Sequence, residues 1–372
     1  MTQERLLVLD ASYERMDQAL EQVVEGLDLG SWLAATRGKK VWIKPNMLGL
    51  FKPEQHCATH PSLVRELVKL FSAAGAEVMV GDNPGVGGYG LNEKVARRTG
   101  ILAAADGCFR NASAKPKEIE IRSRFFTKMV VSEEMLQADL VINVPKLKTH
   151  SLTVLTGAIK NMFGMLIGGC KGQVHVHASR IQEFSEALVD LYQIRPPELT
   201  IVDAIVAMEG NGPSAGKLRP LGKIMASRNG VAADLAAAAL TGADPNSLHF
   251  LRIAQERGLG PRSLAEMDVQ GKLEPAARFK LPTTIQRFGF LGQWFNDYFY
   301  TALLRPTLGL QQDQCSQCRI CADHCPTGAM QMADYPWIDQ DKCIRCFCCH
   351  ELCPENAWEF RGLMRRLSAR RF

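Results

Sequence analysis

Short apolar runs alternate with longer amphipathic segments over the first 250 residues of the chain. The apolar runs predict β-strands, at residues 6–9, 41–43, 77–80, 140–144, 199–202 and 223–226. The segments between them carry apolar residues at helical spacing and predict helices, at residues 16–27, 61–74, 92–98, 181–192 and 231–240. Strands that alternate with helices are typical of an α/β fold with a largely parallel sheet. A polar–apolar alternation at 118–131 predicts an added pair of strands.

The alternation is lost in residues 251–310, where aromatic side chains crowd one short stretch. Trp294 and Tyr298 are four residues apart, as are Phe295 and Phe299, so a helix here would have an aromatic face. We interpret this face as core packing between the α/β body and the C-terminal residues. A helix that lies on a membrane surface is the alternative.

The chain therefore divides into four parts. We predict an α/β substrate- or ligand-binding body at 1–260, an aromatic-rich connecting segment at 261–310, a small α+β cysteine-rich module at 311–360 and a basic tail at 361–372.

Cysteine is distributed unevenly, because nine of the 12 cysteines lie between Cys315 and Cys353. This excludes a small secreted disulfide scaffold, in which cysteines are dense throughout. The first residues lack the apolar run of a signal peptide, and no apolar stretch of about 18 residues predicts a membrane span. We therefore expect a cytoplasmic protein, in which clustered cysteines bind metal rather than form disulfides.

The formal net charge is +5, and five arginines fall within the last 12 residues. The excess of basic over acidic residues is therefore about equal to the charge of these C-terminal arginines. We interpret this tail as solvated. A basic tail can bind nucleic acid or an anionic membrane, but we do not expect nucleic acid as a partner.

The cysteine-rich module contains one spacing twice, C-x2-C-x2-C-x3-C-P. The two copies are Cys315, Cys318, Cys321 and Cys325, then Cys343, Cys346, Cys349 and Cys353. Three cysteines two residues apart can wrap one cubane cluster, whereas zinc sites usually join C-x2-C pairs across longer loops. Cys348 falls outside the spacing, and we interpret it as a buried thiol that points away from the cluster.

This spacing resembles that of the bacterial two-cluster ferredoxins, over residues 315 to about 358. The resemblance implies two 4Fe–4S clusters, each of which takes three cysteines from one copy and the fourth from the other. It assigns one cluster to Cys315, Cys318, Cys321 and Cys353, and the other to Cys343, Cys346, Cys349 and Cys325.

Polar segments follow four of the predicted strands. They are KPN at 44–46, GDNP at 81–84, PKLKTH at 145–150 and, after Asp203, EGNGP at 209–213. Ligands of open α/β sheets bind outside the carboxyl ends of the strands. We therefore expect these segments to meet in one crevice.

The body also carries a recognisable signature, NVPKLKTHSLTVLTGAIKNMFG at 143–164. Together with IKPN, THPSLV, GDNP and EGNGPSAG, it resembles the domain-of-unknown-function 362 family, over most of residues 5–250 and the C-terminal module. The resemblance implies an α/β domain that is often followed by a two-cluster ferredoxin module. It implies no particular reaction.

Lysine is the conspicuous residue of the strand-end segments. Lysines gathered in a crevice favour an anionic ligand, a carboxylate or a phosphate, and a lysine of lowered pKa can act as nucleophile or proton donor. We predict four catalytic residues, Lys146, Lys148, His150 and Lys160. We predict six cofactor-binding residues, Lys44, Asn46, Asp82, Asn161, Asp203 and Glu209. Asp234 is a further carboxylate that could orient a lysine.

Two other motifs receive a weaker interpretation. Cys170, His175 and His177 could hold a metal if both histidines faced one side of a strand. The glycines at 85, 87 and 90 match a dinucleotide fingerprint, but Pro84 intervenes and we interpret them as an anion-binding or flexible loop. An additional, unidentified organic cofactor is left open.

These observations predict an iron–sulfur-dependent reductase. The clusters would take electrons from a redox partner protein or low-potential donor and pass them to an anionic small molecule or cofactor in the crevice. Two alternatives stay open: a non-enzymatic electron-transfer protein that docks a redox partner, and a protein of cofactor or metal maturation.

Overall fold

The computed structural model describes residues 3–85, 91–283 and 307–361. The aromatic stretch at 288–300, the glycines at 87 and 90 and nearly all of the basic tail lie outside these residues. The interpretations that fall on them stay predictions.

Residues 3–85 and 91–283 form an α/β body around a nine-stranded sheet. Numbered along the chain, the strands of the body are β1 (Glu4–Asp10), β2 (Lys40–Pro45), β3 (Glu77–Val80), β4 (Pro116–Glu120), β5 (Lys128–Ser132), β6 (Leu140–Val144), β7 (Lys146–His150), β8 (Val154–Thr156), β9 (Leu199–Glu209), β10 (Lys217–Ser227) and β11 (Met267–Gln270). Its helices are α1 (Met16–Gly26), α2 (Gly30–Ala34), α3 (Pro61–Ala73), α4 (Leu91–Arg98), α5 (Ile101–Ala104), α6 (Glu133–Gln137), α7 (Ala158–Asn161), α8 (Cys170–His177), α9 (Ile181–Ile194), α10 (Gly230–Thr241) and α11 (His249–Glu256).

The order of strands in the main sheet is β11-β1-β10-β9-β6-β2-β3, and the hairpin of β7 and β8 pairs with β9. Neighbouring strands from β9 to β3 are parallel, while β10 is antiparallel to both of its neighbours. The fold is therefore α/β with a largely parallel sheet, as the sequence predicts. β4 and β5 form a separate antiparallel pair, which confirms the two strands predicted at 118–131.

Both faces of the sheet are covered by helices. In β2, Val41 and Ile43 belong to the apolar core under α1 and α3, whereas Trp42 points to the core under α9 and α10. Buried strands of this kind read as continuous apolar runs, which is why the strand positions were visible in the sequence.

Three segments depart from the predicted pattern. β9 continues to Glu209 because it pairs with β10 along its length, so Asp203 lies inside a strand rather than after one. The segment after Val144 contains a hairpin rather than a loop. Residues Cys170–His177 form a helix, so our prediction of a strand at His175 is wrong.

Residues 307–361 form the cysteine-rich segment. It contains two small antiparallel pairs, β12 (Thr307–Leu310) with β15 (Trp358–Arg361) and β13 (Met330–Met332) with β14 (Pro336–Ile338). A short helix follows the second cysteine of each copy: α12 (Ile320–Asp323) and α13 (Cys348–Glu351). The two copies therefore repeat in structure as well as in spacing.

None of the helices in the described ranges combines the length and the apolar character needed to cross a bilayer.

Candidate functional site

The carboxyl ends of β6, β2 and β3 lie side by side, because these strands are parallel neighbours. Asn46 follows β2 directly, and Asp82 lies two residues after β3. The predicted meeting of strand-end residues is therefore present for these two segments.

A buried ion pair lies beneath this edge of the sheet. Lys44 Nζ is 2.7 Å from Asp82 Oδ1, and neither side chain is more than 3% exposed. Asp82 also accepts a hydrogen bond from the backbone N–H of Met47 at 3.0 Å. Burial lowers the pKa of Lys44, and the carboxylate of Asp82 opposes that shift. A Cβ on Gly164 would overlap Asp82 Oδ1 and lie 2.7 Å from Lys44 Nζ, so only glycine fits against this pair.

A chain of side-chain hydrogen bonds holds the asparagines. Lys148 Nζ donates to Asn46 Oδ1 at 2.8 Å, Asn46 Nδ2 donates to Asn161 Oδ1 at 3.2 Å, and Asn161 Nδ2 donates to Asn143 Oδ1 at 2.8 Å. Lys148 also donates to the carbonyl of Cys57. Burial lowers the pKa of Lys148 to about 7. In this arrangement Lys148 orients Asn46 and Asn161.

Lys146 belongs to a different buried group. Its Nζ is 2.9 Å from Asp203 Oδ2 and donates to the hydroxyl of Tyr13 at 2.8 Å, while that hydroxyl donates to Asp203 Oδ1 at 2.9 Å. The ring of Tyr13 stacks on His60 at a centroid distance of 3.6 Å. Burial lowers the pKa of Lys146 and raises that of Tyr13.

A pocket lies between the body and the cysteine-rich segment, and we call it the lysine pocket. Its volume is ≈ 70 Å³, which is enough for several water molecules or a small anion. From the body it is lined by Asn46, Leu48, Asp82, Asn83, Gly85, Lys160, Asn161, Phe163, Gly164, Lys171 and His175. From the cysteine-rich segment it is lined by Cys348, Glu351 and Leu352.

Two lysines line the lysine pocket, together with the carboxylates of Asp82 and Glu351. Lys171 is 3% exposed, and its Nζ donates to the backbone carbonyls of Asn83 and Pro84. Burial lowers the pKa of Lys171 to about 7. Lys160 Nζ lies 6.0 Å from the centre of the Phe163 ring, and it has no ion-pair or hydrogen-bond partner among the residues that the structure describes. Burial also lowers the pKa of Lys160.

His150 joins the body to the cysteine-rich segment. Its Nδ1 accepts the backbone N–H groups of Leu152 at 3.1 Å and Thr153 at 3.2 Å, so the neutral ring carries its proton on Nε2. Nε2 lies 2.8 Å from Glu351 Oε1. Burial lowers the pKa of His150 to about 4, which leaves a neutral imidazole facing a carboxylate at neutral pH.

The eight cysteines of the repeated spacing line two cavities. One cavity, which we call the inner cavity, is lined by Cys325, Cys343, Cys346 and Cys349. Cys348 is buried, as expected, but it also lines this cavity, so the expectation that it points away is wrong. The other, which we call the outer cavity, is lined by Cys315, Cys318, Cys321 and Cys353. These are the two sets of four that the ferredoxin resemblance implies.

The backbone around both cavities suits an iron–sulfur cluster. Gln317 and Arg319 in the first copy have positive φ values of 54° and 64°, and the equivalent Arg345 and Phe347 have 52° and 64°. Successive turns of this kind direct backbone N–H groups into a concave, anion-binding surface. No three His, Cys, Asp or Glu side chains in the described ranges are close enough to hold a single metal ion.

Several predicted residues lie outside the lysine pocket. The carboxylate of Glu209 accepts the backbone N–H of Lys280 at 3.1 Å, and Asp234 accepts those of Ala158 and Ile159 at 2.6 and 3.0 Å. Asp234 thus caps α7 and does not orient a lysine.

The histidines of α8 are also separated, because residues two apart on a helix point in different directions. His175 stacks on Phe184 and reaches the lysine pocket, whereas the ring of His177 faces Phe126. The weaker interpretation of a metal site with Cys170 is therefore not supported.

The pocket also contains residues that sequence reasoning missed. No sequence pattern pointed to Lys171, because the sequence did not predict the helix α8 that contains it. Glu351 lies more than about 170 residues away in sequence from every body residue of the pocket, so only the tertiary contact reveals it.

Comparison with known proteins agrees with this architecture. The family model described as Domain of unknown function (DUF362) matches residues 41–239, and the model of a 4Fe-4S binding domain matches residues 310–331. The second match covers the first copy of the cysteine spacing, and it indicates an iron–sulfur cluster and a role in electron transfer.

A curated relative is a thylakoid-associated protein of Synechocystis sp. (strain ATCC 27184 / PCC 6803 / Kazusa). It is 32% identical over 228 residues, which are 60% of this chain and 70% of the relative. Among solved structures, the lactate racemase apoprotein of Thermoanaerobacterium thermosaccharolyticum is similar over 63% of this chain, with 15% identity and a TM-score of 0.40. This chain spans 56% of the length of that protein. By its sequence match over residues 41–239, the chain belongs to the domain-of-unknown-function 362 family.

Proposed function

We propose that this protein is an iron–sulfur reductase that transfers electrons to an anionic small molecule or cofactor held in the lysine pocket. The observation that supports this most directly is the composition of the pocket wall. Lys160 and Lys171 come from the body, while Cys348, Glu351 and Leu352 come from the segment that carries the cluster cysteines. A ligand bound by the lysines would therefore lie next to a cluster site.

Charge favours an anion in this pocket. Lys44 is paired with Asp82, whereas Lys160 makes no hydrogen bond or ion pair with the described residues and is offset only at longer range by the carboxylate of Glu351. A carboxylate or phosphate would pair with Lys160, and its oxygens could accept the second N–H of the Asn46 amide, whose first N–H is donated to Asn161.

We propose that Lys171, which lines the same pocket, supplies the protons. Lys171, with its pKa near 7, can hold and release a proton at neutral pH, as a general acid requires. Lys146 and Lys148 do not line the pocket: Lys146 pairs with Asp203, and Lys148 donates to the lining residue Asn46. Their predicted catalytic role stays a prediction, and the contacts of Lys148 favour a positioning role.

The proposal includes two 4Fe–4S clusters with exchanged fourth cysteines. The two cavities, each lined by four cysteines of the repeated spacing, support this assignment. When bound, such clusters supply electrons one at a time, and a low-potential electron carrier protein would be the donor. The domain boundaries at 260 and 310 and the cytoplasmic location stay predictions.

Anaerobic purification, followed by iron and sulfide analysis and mass analysis of any bound small molecule, tests the proposal. We expect eight irons per chain if both assigned clusters are present, and a bound anion that is released when Lys160 is replaced by methionine. Reduction of that anion by the cluster-reduced protein would support the reductase. An empty pocket, together with electron exchange with proteins alone, would support the electron-carrier alternative instead.

A further inference from the structure

The inner and outer cavities have different neighbours, although the cysteines around them repeat with one spacing. Cys348 lines both the inner cavity and the lysine pocket, so one side chain separates the two spaces. Pro326, which also lines the inner cavity, packs against Gly172 of α8. The inner cavity therefore faces the body.

The outer cavity faces away from the lysine pocket. All of its described lining residues belong to the stretch 315–358, and none of them lines the pocket. Its cysteine Cys318 is exposed, and so are Arg319 and Asp323 beside it, with 61% and 54% of their side chains accessible. The corresponding residue in the second copy, Glu351, is only 12% exposed because it lies against His150.

From these positions we infer that the two cluster sites act in a fixed order. The outer site exchanges electrons with a partner protein at the surface around Cys318, and the inner site exchanges electrons with the ligand in the lysine pocket. This inference rests on the proposed function for the presence of two clusters. The physical reason is that electron tunnelling slows exponentially with distance, so each exchange uses the site that lies nearer.

Charge changes beside each cavity test the order without any substrate. Lys160→Met removes a positive charge from the lysine pocket, next to Cys348, whereas Arg319→Met removes one beside the outer cavity. A nearby positive charge favours the reduced cluster, so each variant should lower the reduction potential of the nearer cluster. Redox titration followed by electron paramagnetic resonance measures both potentials in the full-length protein.

The two signals are assigned with Cys343→Ser and Cys315→Ser, which change one ligand of the inner and the outer site. We expect Lys160→Met to shift the signal that Cys343→Ser alters and to leave the other in place. Arg319→Met should do the reverse, with a smaller shift because Arg319 is exposed and screened. A shift of the outer signal by Lys160→Met would overturn the order.

The order stays testable if the serine variants fail to fold. Lys160→Met and Arg319→Met should then move different signals, and movement of the same signal by both would overturn the inference. Sulfate serves as a probe of the pocket and should perturb the signal that Lys160→Met moves. A potential shift with Lys160→Met but no effect of sulfate would support the order and contradict the anion site of the proposed function.

Discussion

The two copies of the cysteine spacing differ in what surrounds them rather than in their own structure. Each copy has the same turns and a four-residue helix at the same offset from its first cysteine. In the first copy, Asp323 is exposed and pairs with Arg319, whereas in the second, Glu351 is buried against His150 of the body. The repeated motif thus determines the backbone geometry around each set of cysteines. The packing around each copy determines whether that set lies against the body or at the surface.

Loss of one cysteine from each copy should have the largest effect. We expect Cys349→Ala and Cys321→Ala each to lower the iron content by about half, because each removes one ligand from one of the two sets of four. Iron analysis of anaerobically purified protein measures this. Complete loss of iron from either variant would show that the two sites do not assemble independently.

The buried and exposed acids should differ strongly in their contribution to stability. Glu351→Ala removes the carboxylate that lies 2.8 Å from the buried Nε2 of His150 and leaves that polar atom in an apolar space, so we expect a loss of about 1–3 kcal/mol in the free energy of unfolding. Asp323→Ala removes an exposed ion pair and should cost less than about 0.5 kcal/mol. Chemical denaturation of the cluster-loaded protein gives both values, and Glu351→Gln should recover part of the loss. Equal effects at the two positions would contradict the comparison.

Anion affinity should depend on the lysine pocket and not on lysines elsewhere. Lys160→Met should weaken sulfate binding roughly tenfold, the size of one charge-assisted hydrogen bond. Lys272, with 71% of its side chain exposed, provides the matched control, and Lys272→Met should leave the affinity unchanged. Calorimetric titration measures both, and equal weakening by the two variants would point to non-specific charge attraction.

The smallest expected effect is a pH dependence of sulfate binding. Lys171 is charged below its pKa of about 7 and neutral above it, so affinity should fall several-fold as the pH rises through 7. Sulfate itself keeps a constant charge near neutral pH. The charged and titratable groups around Lys171 in the pocket are Lys44, Lys160, Asp82, His175 and Glu351.

Lys171→Met should flatten this profile while the folded state is retained. His175, whose pKa burial lowers to about 4, stays neutral over the same range and does not add a second step. A profile that keeps its fall near pH 7 in the variant would assign the titration to another group.

Much of the fold could be predicted from the sequence, because the strands of the body are buried on both faces. A continuous apolar run such as Ile142 with its neighbours marks such a strand whatever its partners are. The limits of β9 could not be predicted, since its second half is stabilised by pairing with β10 rather than by its own composition.

The site was predictable only in part for a related reason. Asn46 follows β2 directly and Asp82 lies two residues after β3, so the parallel pairing of these strands brings them together. Which lysines reach the pocket depends on side-chain direction: in the strand β7, Lys146 and Lys148 turn to Asp203 and Asn46 instead. The local sequence pattern does not determine these side-chain directions.

Gly164 shows how little room the pocket leaves for redesign. Any side chain at this position, even the methyl group of alanine, would overlap the ion pair of Lys44 and Asp82 beside the pocket. A protein engineer could vary Phe163 or Leu48 to reshape the space above. Glycine is therefore the only amino acid at position 164 that leaves the ion pair beside the pocket undisturbed.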